Sequence, residues 1–282
     1  MATTTDPILQ GFANHVSFWK PEGVKDYLAT SACFFVGLMD DGQTVLKYPH
    51  VQTKDSMSCL REEADRYSRL GVHENLVTYK GLNEDGLLLE YCEGGVLKDL
   101  IEGPFVLTDC HKSLISTQIV RCLAFLHRRN YIHCDIHVRN IFLTSKLFAK
   151  VGDLQGQLYR DDGSVEMETM SQEDAKSRHP DAGNDEFTPR TDIFAFGTLL
   201  YHLHHGHPPF PELNAHDHSE LIQARFRERR YPTNLSQEST IDIIIGKCWD
   251  SEYKRADEIL DDFLALGIKE MPSTNLSHLS VD

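Results

Sequence analysis

The spacing of apolar positions in the first third of the chain predicts strands with one helix among them. Residues 24–51 alternate polar and apolar positions around Asp40-Asp41-Gly42, which predicts two strands joined by a hairpin turn. Residues 55–70 contain good helix formers, with an Asp or Ser cap at the start, and Gly71 is the expected stop. This stretch predicts a helix.

Beyond residue 90 the pattern becomes mostly helical. Two further predicted strands, at residues 76–80 and 87–91, lead into Glu93-Gly94-Gly95, which is typical of a flexible connector and marks the predicted boundary between two lobes. The Ser-rich end from Pro272 to Asp282 predicts a loose tail. Helical periodicity recurs in four later stretches: 109–129, 190–206, 236–249 and 256–266.

Composition narrows the classes of protein that fit. The chain of 282 residues is 40% hydrophobic and 25% charged, enough for one large core or two lobes. Its net charge of −15 argues against nucleic acid or an anionic membrane as the main partner, because both require a cationic face. The seven cysteines include no Cys-x-x-Cys pair, so a disulfide framework or zinc site is not expected. With no signal peptide and no membrane-length apolar run, we expect an intracellular, cytoplasmic protein.

The chemistry of the chain is concentrated in His133-Cys134-Asp135-Ile136-His137-Val138-Arg139-Asn140, followed thirteen residues after Asn140 by Asp153. Asp135 is able to accept a proton from a substrate hydroxyl. Asn140 and Asp153 offer hard oxygen ligands to magnesium on nucleotide phosphates. This spacing predicts the catalytic loop and metal-binding aspartate of a phosphotransferase.

These motifs, in this order, resemble the protein kinase superfamily over roughly residues 22–266, and most closely divergent protein-kinase-like proteins of filamentous fungi. The resemblance implies an α+β, bilobal protein kinase fold. Its N-lobe is small and β-rich with one key helix, and its larger C-lobe is mostly α-helical. The implied divisions are an N-terminal extension (1–21), the N-lobe (22–92), the C-lobe (93–267) and a flexible C-terminal tail (268–282).

The resemblance also implies the residues that bind ATP and magnesium, for which manganese is a possible substitute. Lys47 matches the strand lysine that contacts phosphates, and Glu63 matches the helix glutamate that pairs with it, with Glu62 as the alternative. The implied catalytic set is Asp135, Lys47, Glu63 and Asn140, and the implied metal ligands are Asn140 and Asp153. The implied nucleotide-binding positions are Lys47, Ala29, Ser31, Val36, Val45, Leu89, Glu90, Cys92 and Asp153.

Two supporting positions follow from the same resemblance. Asp192 matches the buried aspartate that braces the backbone of the catalytic loop. His179-Pro180-Asp181 replaces the family's Ala-Pro-Glu, so we expect a buried ion pair between Asp181 and Arg255.

The departures from the family pattern bear on activity. The loop at residues 29–36 lacks all the expected glycines, and Phe34 replaces the third, which is expected to weaken or reshape nucleotide binding. Asp-Phe-Gly has become Asp153-Leu154-Gln155, with a glycine only at 156. Cys134 replaces the arginine that commonly contacts a phosphate on the activation segment, so any activity is expected not to require that phosphate.

The type of acceptor and the level of activity stay open. His137 stands where serine/threonine kinases usually carry lysine, and Arg139 where many tyrosine kinases carry arginine. An active protein kinase acting on Ser or Thr, less readily Tyr, is the first hypothesis, with ATP and a protein substrate as partners and neither nucleic acid nor membrane. A pseudokinase scaffold is the second. A small-molecule kinase of the aminoglycoside or choline type is the third, opposed by the protein-kinase positions Asp192, Gly197 and 249–255.

Two other clusters of side chains are expected to take no part in catalysis. His202, His204, His205 and His207 resemble a metal cluster but lie on a helix that the resemblance places far from the nucleotide. An acidic run is expected to be solvated within the activation segment: Asp161, Asp162, Glu166, Glu168, Glu173 and Asp174.

Overall fold

The computed structural model describes residues 20–236 and 238–265. Most of the predicted N-terminal extension (1–21) and the whole predicted tail (268–282) lie outside these residues. The described chain forms two compact units. The first comprises residues 20–61 and Lys80–Tyr91, and the second comprises Glu62–Tyr79 and everything described from Cys92 onward. A β-rich part and a mostly helical part are both present, which confirms the expected α+β architecture.

The first unit is built on a five-stranded sheet in the order β1-β2-β3-β5-β4. The predicted hairpin is confirmed between β2 and β3, where Asp41 Oδ1 accepts hydrogen bonds from the backbone of Gln43 (2.8 Å) and Thr44 (2.9 Å). One strand before this hairpin was not predicted separately. The strands are β1 (Val24–Thr30), β2 (Phe34–Met39), β3 (Thr44–Pro49), β4 (Tyr79–Leu82) and β5 (Leu87–Glu90).

The predicted helix is confirmed as α1, Lys54–Leu70. Its cap, however, is Thr53 rather than an Asp or Ser: the Thr53 hydroxyl accepts from the Ser56 amide at 3.1 Å, and the Ser56 hydroxyl accepts from the Thr53 amide at 3.0 Å. Gly71 ends the helix as expected, because its φ of 76° lies in the left-handed region and its amide donates to the Tyr67 carbonyl.

The second unit is mostly helical, and all four predicted helical stretches contain a helix. Gly197 lets α4 approach α6 closely, because a Cβ at this position would lie 2.7 Å from the Cβ of Cys248. Two shorter helices, α2 and α5, were not predicted. The helices are α2 (Leu97–Glu102), α3 (Asp109–His127), α4 (Pro189–His205), α5 (Ser219–Arg227), α6 (Thr240–Trp249) and α7 (Ala256–Ala265).

Two small three-stranded sheets complete the second unit. One has the order β11-β10-β7 and the other β6-β8-β9. The predicted strand at 76–80 is misplaced, because β4 begins at Tyr79 and Leu76 instead makes an isolated bridge to Val151. Along the described chain, no helix is long and apolar enough to cross a membrane. The short strands are β6 (Gly95–Val96), β7 (Tyr131–Ile132), β8 (Ile141–Leu143), β9 (Ala149–Val151), β10 (Gln157–Tyr159) and β11 (Val165–Met167).

Candidate active site

The hairpin of β8 and β9 brings Asn140 and Asp153 to the same end of one small sheet. Ile141 pairs with Val151 in the antiparallel register, so the residues just outside this pair are neighbours. The Gly152 amide donates to the Asn140 carbonyl at 3.0 Å, which extends the pairing toward Asp153. Two residues separated by thirteen positions in the sequence therefore meet at one strand end.

In the predicted catalytic loop, two side chains contact the Asp135 carboxylate. Asn140 Nδ2 donates to Asp135 Oδ2 at 3.1 Å and to the Asp135 carbonyl at 3.0 Å. His137 Nε2 lies 3.0 Å from Asp135 Oδ1. His137 Nδ1 accepts the Arg139 amide at 3.2 Å, so the proton of the neutral ring is on Nε2, which donates to the carboxylate. The carboxylate is thus oriented by an imidazole and an amide.

Asp192 accepts hydrogen bonds from the backbone of this loop, as expected. Its carboxylate is fully buried and accepts from the backbone amides of His133 (2.8 Å) and Cys134 (3.0 Å). His127 Nε2 lies 2.9 Å from the same carboxylate. Cys134 has a φ of 63°, a strained value for a residue with a side chain, and the Asp192 contact holds this conformation.

Cys134 does not replace the positive charge of the arginine that the family commonly has at this position. Burial, and after it the negative charges of Asp192 and Glu173, raises the pKa of its thiol. The side chain is completely buried and its Sγ lies 3.4 Å from the Ile132 carbonyl oxygen. At this position the structure therefore has a neutral packing group instead of a phosphate-binding cation.

The segment after Asp153 is fixed by backbone and side-chain bonds. Gln155 Nε2 donates to Asp153 Oδ1 at 3.0 Å, and the Gln155 amide donates to the Asp153 carbonyl at 2.9 Å. Leu154, in place of phenylalanine, is completely buried. The Gly156 amide donates to the Tyr131 hydroxyl at 2.8 Å. A Cβ at Gly156 would lie 2.0 Å from the Ile132 carbonyl, so this position requires glycine.

Helix α1 contacts this segment through the face that carries Glu63. The Glu63 residue is 1% exposed, whereas the Glu62 side chain is 48% exposed, so Glu63 is the one that points inward. Arg66 is buried and donates from Nε to the Gly156 carbonyl at 2.9 Å, and also to the Glu168 carbonyl. Burial, and after it the charges of Glu63 and Asp153, raises the pKa of the Tyr67 phenol well above its usual value. The pairing of Glu63 with Lys47 stays a prediction.

Arg66 and His127 were not identified from the sequence. Arg66 lies three positions after Glu63 and so shares its helix face, which is the one signal that pointed to it. His127, at the last position of α3, gave no signal, because its partner Asp192 is 65 residues away.

Apart from Ser31, the nucleotide-binding positions predicted in the first unit lie on adjacent strands of one sheet. Lys47 is buried on β3, opposite Val36 on β2, and its Nζ lies 5.5 Å from the centroid of the Phe34 ring. The other pairs in this sheet are Ala29 with Val36, Val45 with Leu89, and Thr44 with Glu90.

A tight turn replaces the glycine loop. The Ser31 amide donates to the Phe34 carbonyl at 2.8 Å, and the Ser31 hydroxyl accepts from the Phe34 amide at 3.2 Å. Cys92, the last of the predicted positions, is buried at the start of the second unit's long segment.

The expected buried ion pair between Asp181 and Arg255 is wrong. The Asp181 side chain is 63% exposed and lies 3.7 Å from Arg227. The Arg255 side chain is 72% exposed and lies 3.7 Å from Glu258, because Arg255 directly precedes α7 and meets the first turn of that helix. His179 makes the buried connection instead, with its Nε2 2.8 Å from the Ser251 hydroxyl.

The acidic run is not uniformly solvated as expected, because Glu173 is buried. Burial, and after it the negative charge of Asp192, raises the pKa of Glu173 to about 8. The negative charge of Asp135 adds a smaller effect in the same direction. A glutamic acid that is mostly protonated at neutral pH thus lies near the catalytic loop.

The histidines of α4 contact separate partners. His202 lies 3.9 Å from Glu102, His204 lies 3.3 Å from the Ser116 hydroxyl, and His205 lies 2.8 Å from Asp242. No group of three or more potential metal-binding side chains is found in residues 20–236 and 238–265.

Comparison with known proteins decides the family. The model of the family described as protein tyrosine and serine/threonine kinase matches residues 38–258, which is most of the chain and extends from the end of β2 to the start of α7. The chain belongs to this protein kinase family. The family is one of protein kinases, which are transferases that phosphorylate proteins.

Several curated proteins match parts of this chain at modest identity. A putative tyrosine-protein kinase, F09A5.2, of Caenorhabditis elegans is 30% identical over 66% of this chain and 24% of its own length. The serine/threonine-protein kinase VIK of Arabidopsis thaliana is 27% identical over 71% of this chain and 48% of its own. The U-box domain-containing protein 33 of the same plant is 29% identical over 62% of this chain and 22% of its own. The kinase domain therefore spans between about a fifth and a half of the length of these relatives.

Proposed function

We propose that this chain is an active protein kinase that transfers the γ-phosphoryl group of ATP to a Ser or Thr hydroxyl of a protein, and less readily to Tyr. The observation that carries this proposal is the Asp135 carboxylate, oriented by His137 and Asn140 in the loop that also positions Asn140 near Asp153. An oriented carboxylate is what a general base for a hydroxyl nucleophile requires.

The residues at the end of β8 and β9 fit a magnesium ion. Both bonds that Asn140 makes to Asp135 use its Nδ2, so its Oδ1 is directed elsewhere and is available as a ligand. Asp153 adds a carboxylate, and amide and carboxylate oxygens are the ligands that magnesium prefers. Asn140 and Asp153 would hold the ion, manganese being a possible substitute. When bound, the ion would neutralise part of the negative charge on the nucleotide phosphates.

In this proposal the other residues bind and orient the nucleotide. Lys47, buried on its strand, contacts phosphates, and Glu63 orders Lys47. Asp135 takes the proton of the acceptor hydroxyl while His137 keeps its carboxylate in place.

A pseudokinase scaffold is the alternative that specific observations favour. The turn between β1 and β2 is closed by Ser31 and Phe34 without any glycine, and Gln155 occupies one oxygen of Asp153. A small-molecule kinase is favoured only by His137. The close packing of Gly197 on α6 and the three hydrogen bonds of Asp192 oppose it, because both belong to the protein-kinase pattern.

The test is phosphoryl transfer from radiolabelled ATP, with magnesium or manganese, to a generic basic protein, and in parallel to choline and an aminoglycoside. Asp135→Asn is expected to lower the rate at least about 100-fold, because the base is lost. Asp217→Asn makes the same chemical change at an exposed position and is expected to leave the rate unchanged. Hydrolysis of the labelled protein identifies Ser, Thr or Tyr as the acceptor.

Turnover that survives Asp135→Asn would contradict the assigned base. Folded protein that binds ATP without transferring phosphoryl to any acceptor would support the scaffold instead. Transfer to choline or the aminoglycoside alone would support the small-molecule kinase.

A further inference from the structure

A cationic cavity lies in the second unit, and its lining residues do not include those of the predicted catalytic loop at 133–140. It has a volume of about 380 Å³ and is formed where the end of α1, the end of α3 and the β10–β11 hairpin meet. Four arginines line it in a chain whose net charge is −15. We name it the arginine pocket, and its charged and polar lining residues are Arg69, Arg128, Arg129, Arg160, Asn130, Asp161 and Glu166.

Two of the arginines are already neutralised by carboxylates. Arg69 Nη1 lies 2.7 Å from Glu166, and Arg128 Nη1 lies 2.6 Å from Asp257. Asp161, the other acid of the pocket, accepts from Asn130 Nδ2 at 3.0 Å. For Arg129 and Arg160, in contrast, the described residues provide no carboxylate partner within 4.0 Å.

The two guanidinium groups without carboxylate partners are held in place by other contacts. The Arg129 guanidinium lies over the Phe125 ring, 3.8 Å from its centroid. Arg160 Nη1 donates to the Val165 carbonyl at 2.8 Å across the hairpin turn. Each group keeps further N–H donors, so both cations are positioned at one cavity before any ligand binds.

We propose that the arginine pocket binds a phosphoryl dianion, carried either by free phosphate or by a phosphorylated peptide. Two positioned guanidinium groups match the charge of a dianion, and their forked donors match the geometry of its oxygens. Glu166 is paired with Arg69, whereas Asp161 is bonded only to the neutral amide of Asn130 and keeps its charge. The four arginines still outnumber the carboxylates Asp161, Glu166 and Asp257. The site is independent of catalytic turnover and applies equally to an active kinase and to a scaffold.

A ligand in this pocket would act on the segment that follows Asp153. The Tyr159 amide of the hairpin donates to the Asn130 carbonyl at 2.9 Å, and Glu166 of the same hairpin is paired with Arg69 of α1. An anion bridging Arg129 and Arg160 would add a further connection between the hairpin and the end of α3. The expected effect is slower hydrogen exchange of the hairpin amides.

The test is calorimetric titration of the full chain with inorganic phosphate, with a phosphoserine peptide and with the same peptide unphosphorylated. The Arg129→Gln/Arg160→Gln double variant is expected to bind phosphoryl ligands at least about tenfold more weakly. Arg230→Gln/Arg255→Gln removes the same charge from two exposed arginines outside the pocket and is expected to bind like the wild type.

The outcomes separate the two sources of the phosphoryl group. Binding of phosphate and phosphopeptide with equal affinity supports a site for free phosphate, and much tighter binding of the phosphopeptide supports a site for a phosphorylated segment. Equal affinity in the wild type and the Arg129→Gln/Arg160→Gln variant, or equal weakening in the control variant, overturns the proposal. Binding of the unphosphorylated peptide as tightly as the phosphopeptide overturns it as well.

Discussion

At the scale of single residues, the candidate site differs from a typical kinase through the hydrogen bonds made by substituted side chains. His137 bonds to the carboxylate of Asp135, the proposed base, and Gln155 bonds to the carboxylate of Asp153, the proposed metal ligand. In the proposed mechanism, the first contact orients the base. The second uses an oxygen that a metal ion would also use, so the two substitutions have opposite expected effects on activity.

Replacing Gln155 with Ala is expected to strengthen magnesium-dependent nucleotide binding. The side-chain hydrogen bond to Asp153 Oδ1 contributes about 1 kcal/mol. Its removal should lower the magnesium concentration for half-maximal binding about fivefold. The measurement is a magnesium titration of the binding of a fluorescent ATP analogue. Gln172→Ala, at an exposed position of the same segment, serves as the control. A higher magnesium requirement in the Gln155 variant would mean that Gln155 positions Asp153 for the metal.

At the scale of elements, the segment after Asp153 is bound into the second unit along most of its length. Arg66 of α1 contacts two of its carbonyls, β10 pairs with β7, and the Met170 amide donates to the Gln155 carbonyl at 2.7 Å. Cys134 stands where the family commonly has a phosphate-binding arginine. The contacts of this segment are therefore made without that arginine. The element depends instead on the close approach of its backbone to β7 at Gly156.

Replacing Gly156 with Ala is therefore expected to lower the free energy of unfolding by about 2 kcal/mol. The new Cβ would meet the Ile132 carbonyl at 2.0 Å and the His133 carbonyl at 2.6 Å, and backbone atoms cannot move aside cheaply. Urea denaturation followed by circular dichroism provides the measurement. For Gly183→Ala, where the nearest atom would lie at 3.8 Å, a change within about 0.5 kcal/mol is expected. Equal effects in the two variants would show that the approach at Gly156 relaxes easily.

At the scale of the whole molecule, buried titratable groups make the stability depend on pH. Burial lowers the pKa of His179, His202 and His204 to about 4. Unfolding exposes these rings to their ordinary pKa of about 6.5, so stability is lost as the pH falls from about 6.5 toward 4. Glu173 has the opposite effect on stability. Its pKa of about 8 in the folded state lies above its value in the unfolded state, so its contribution to stability is lost as the pH rises.

Replacing Glu173 with Gln is expected to stabilise the protein more at pH 8 than at pH 5. The folded state retains the Glu173 proton between its unfolded pKa, about 4.5, and about 8, so the wild type loses stability as pH rises through that window. Glutamine has no such proton to lose. The difference in unfolding free energy between variant and wild type should grow by about 3 kcal/mol from pH 5 to pH 8. The histidine contribution cancels in this comparison. A difference that stays constant across the two pH values would place the Glu173 carboxyl in contact with solvent.

The sequence by itself determined the elements whose pattern is local. The period-two alternation around Gly42 and the helix formers before Gly71 each depend on neighbours in the chain, so these predictions agree with the secondary structure. The same motifs were enough to indicate the kinase family that the comparison shows. The helix cap at Thr53 was missed because Thr53, Asp55 and Ser56 lie within one turn and all three are good cap residues.

Only the tertiary structure decided which distant groups meet. The buried environment of Glu173, the contact of His127 with Asp192 and the exposure of Asp181 and Arg255 depend on the packing of elements far apart in the sequence. The arginine pocket likewise gathers residues from three elements with no shared motif. Sequence patterns report periodicity within one element, whereas burial and charge pairing arise from the packing between elements, and that packing set these contacts.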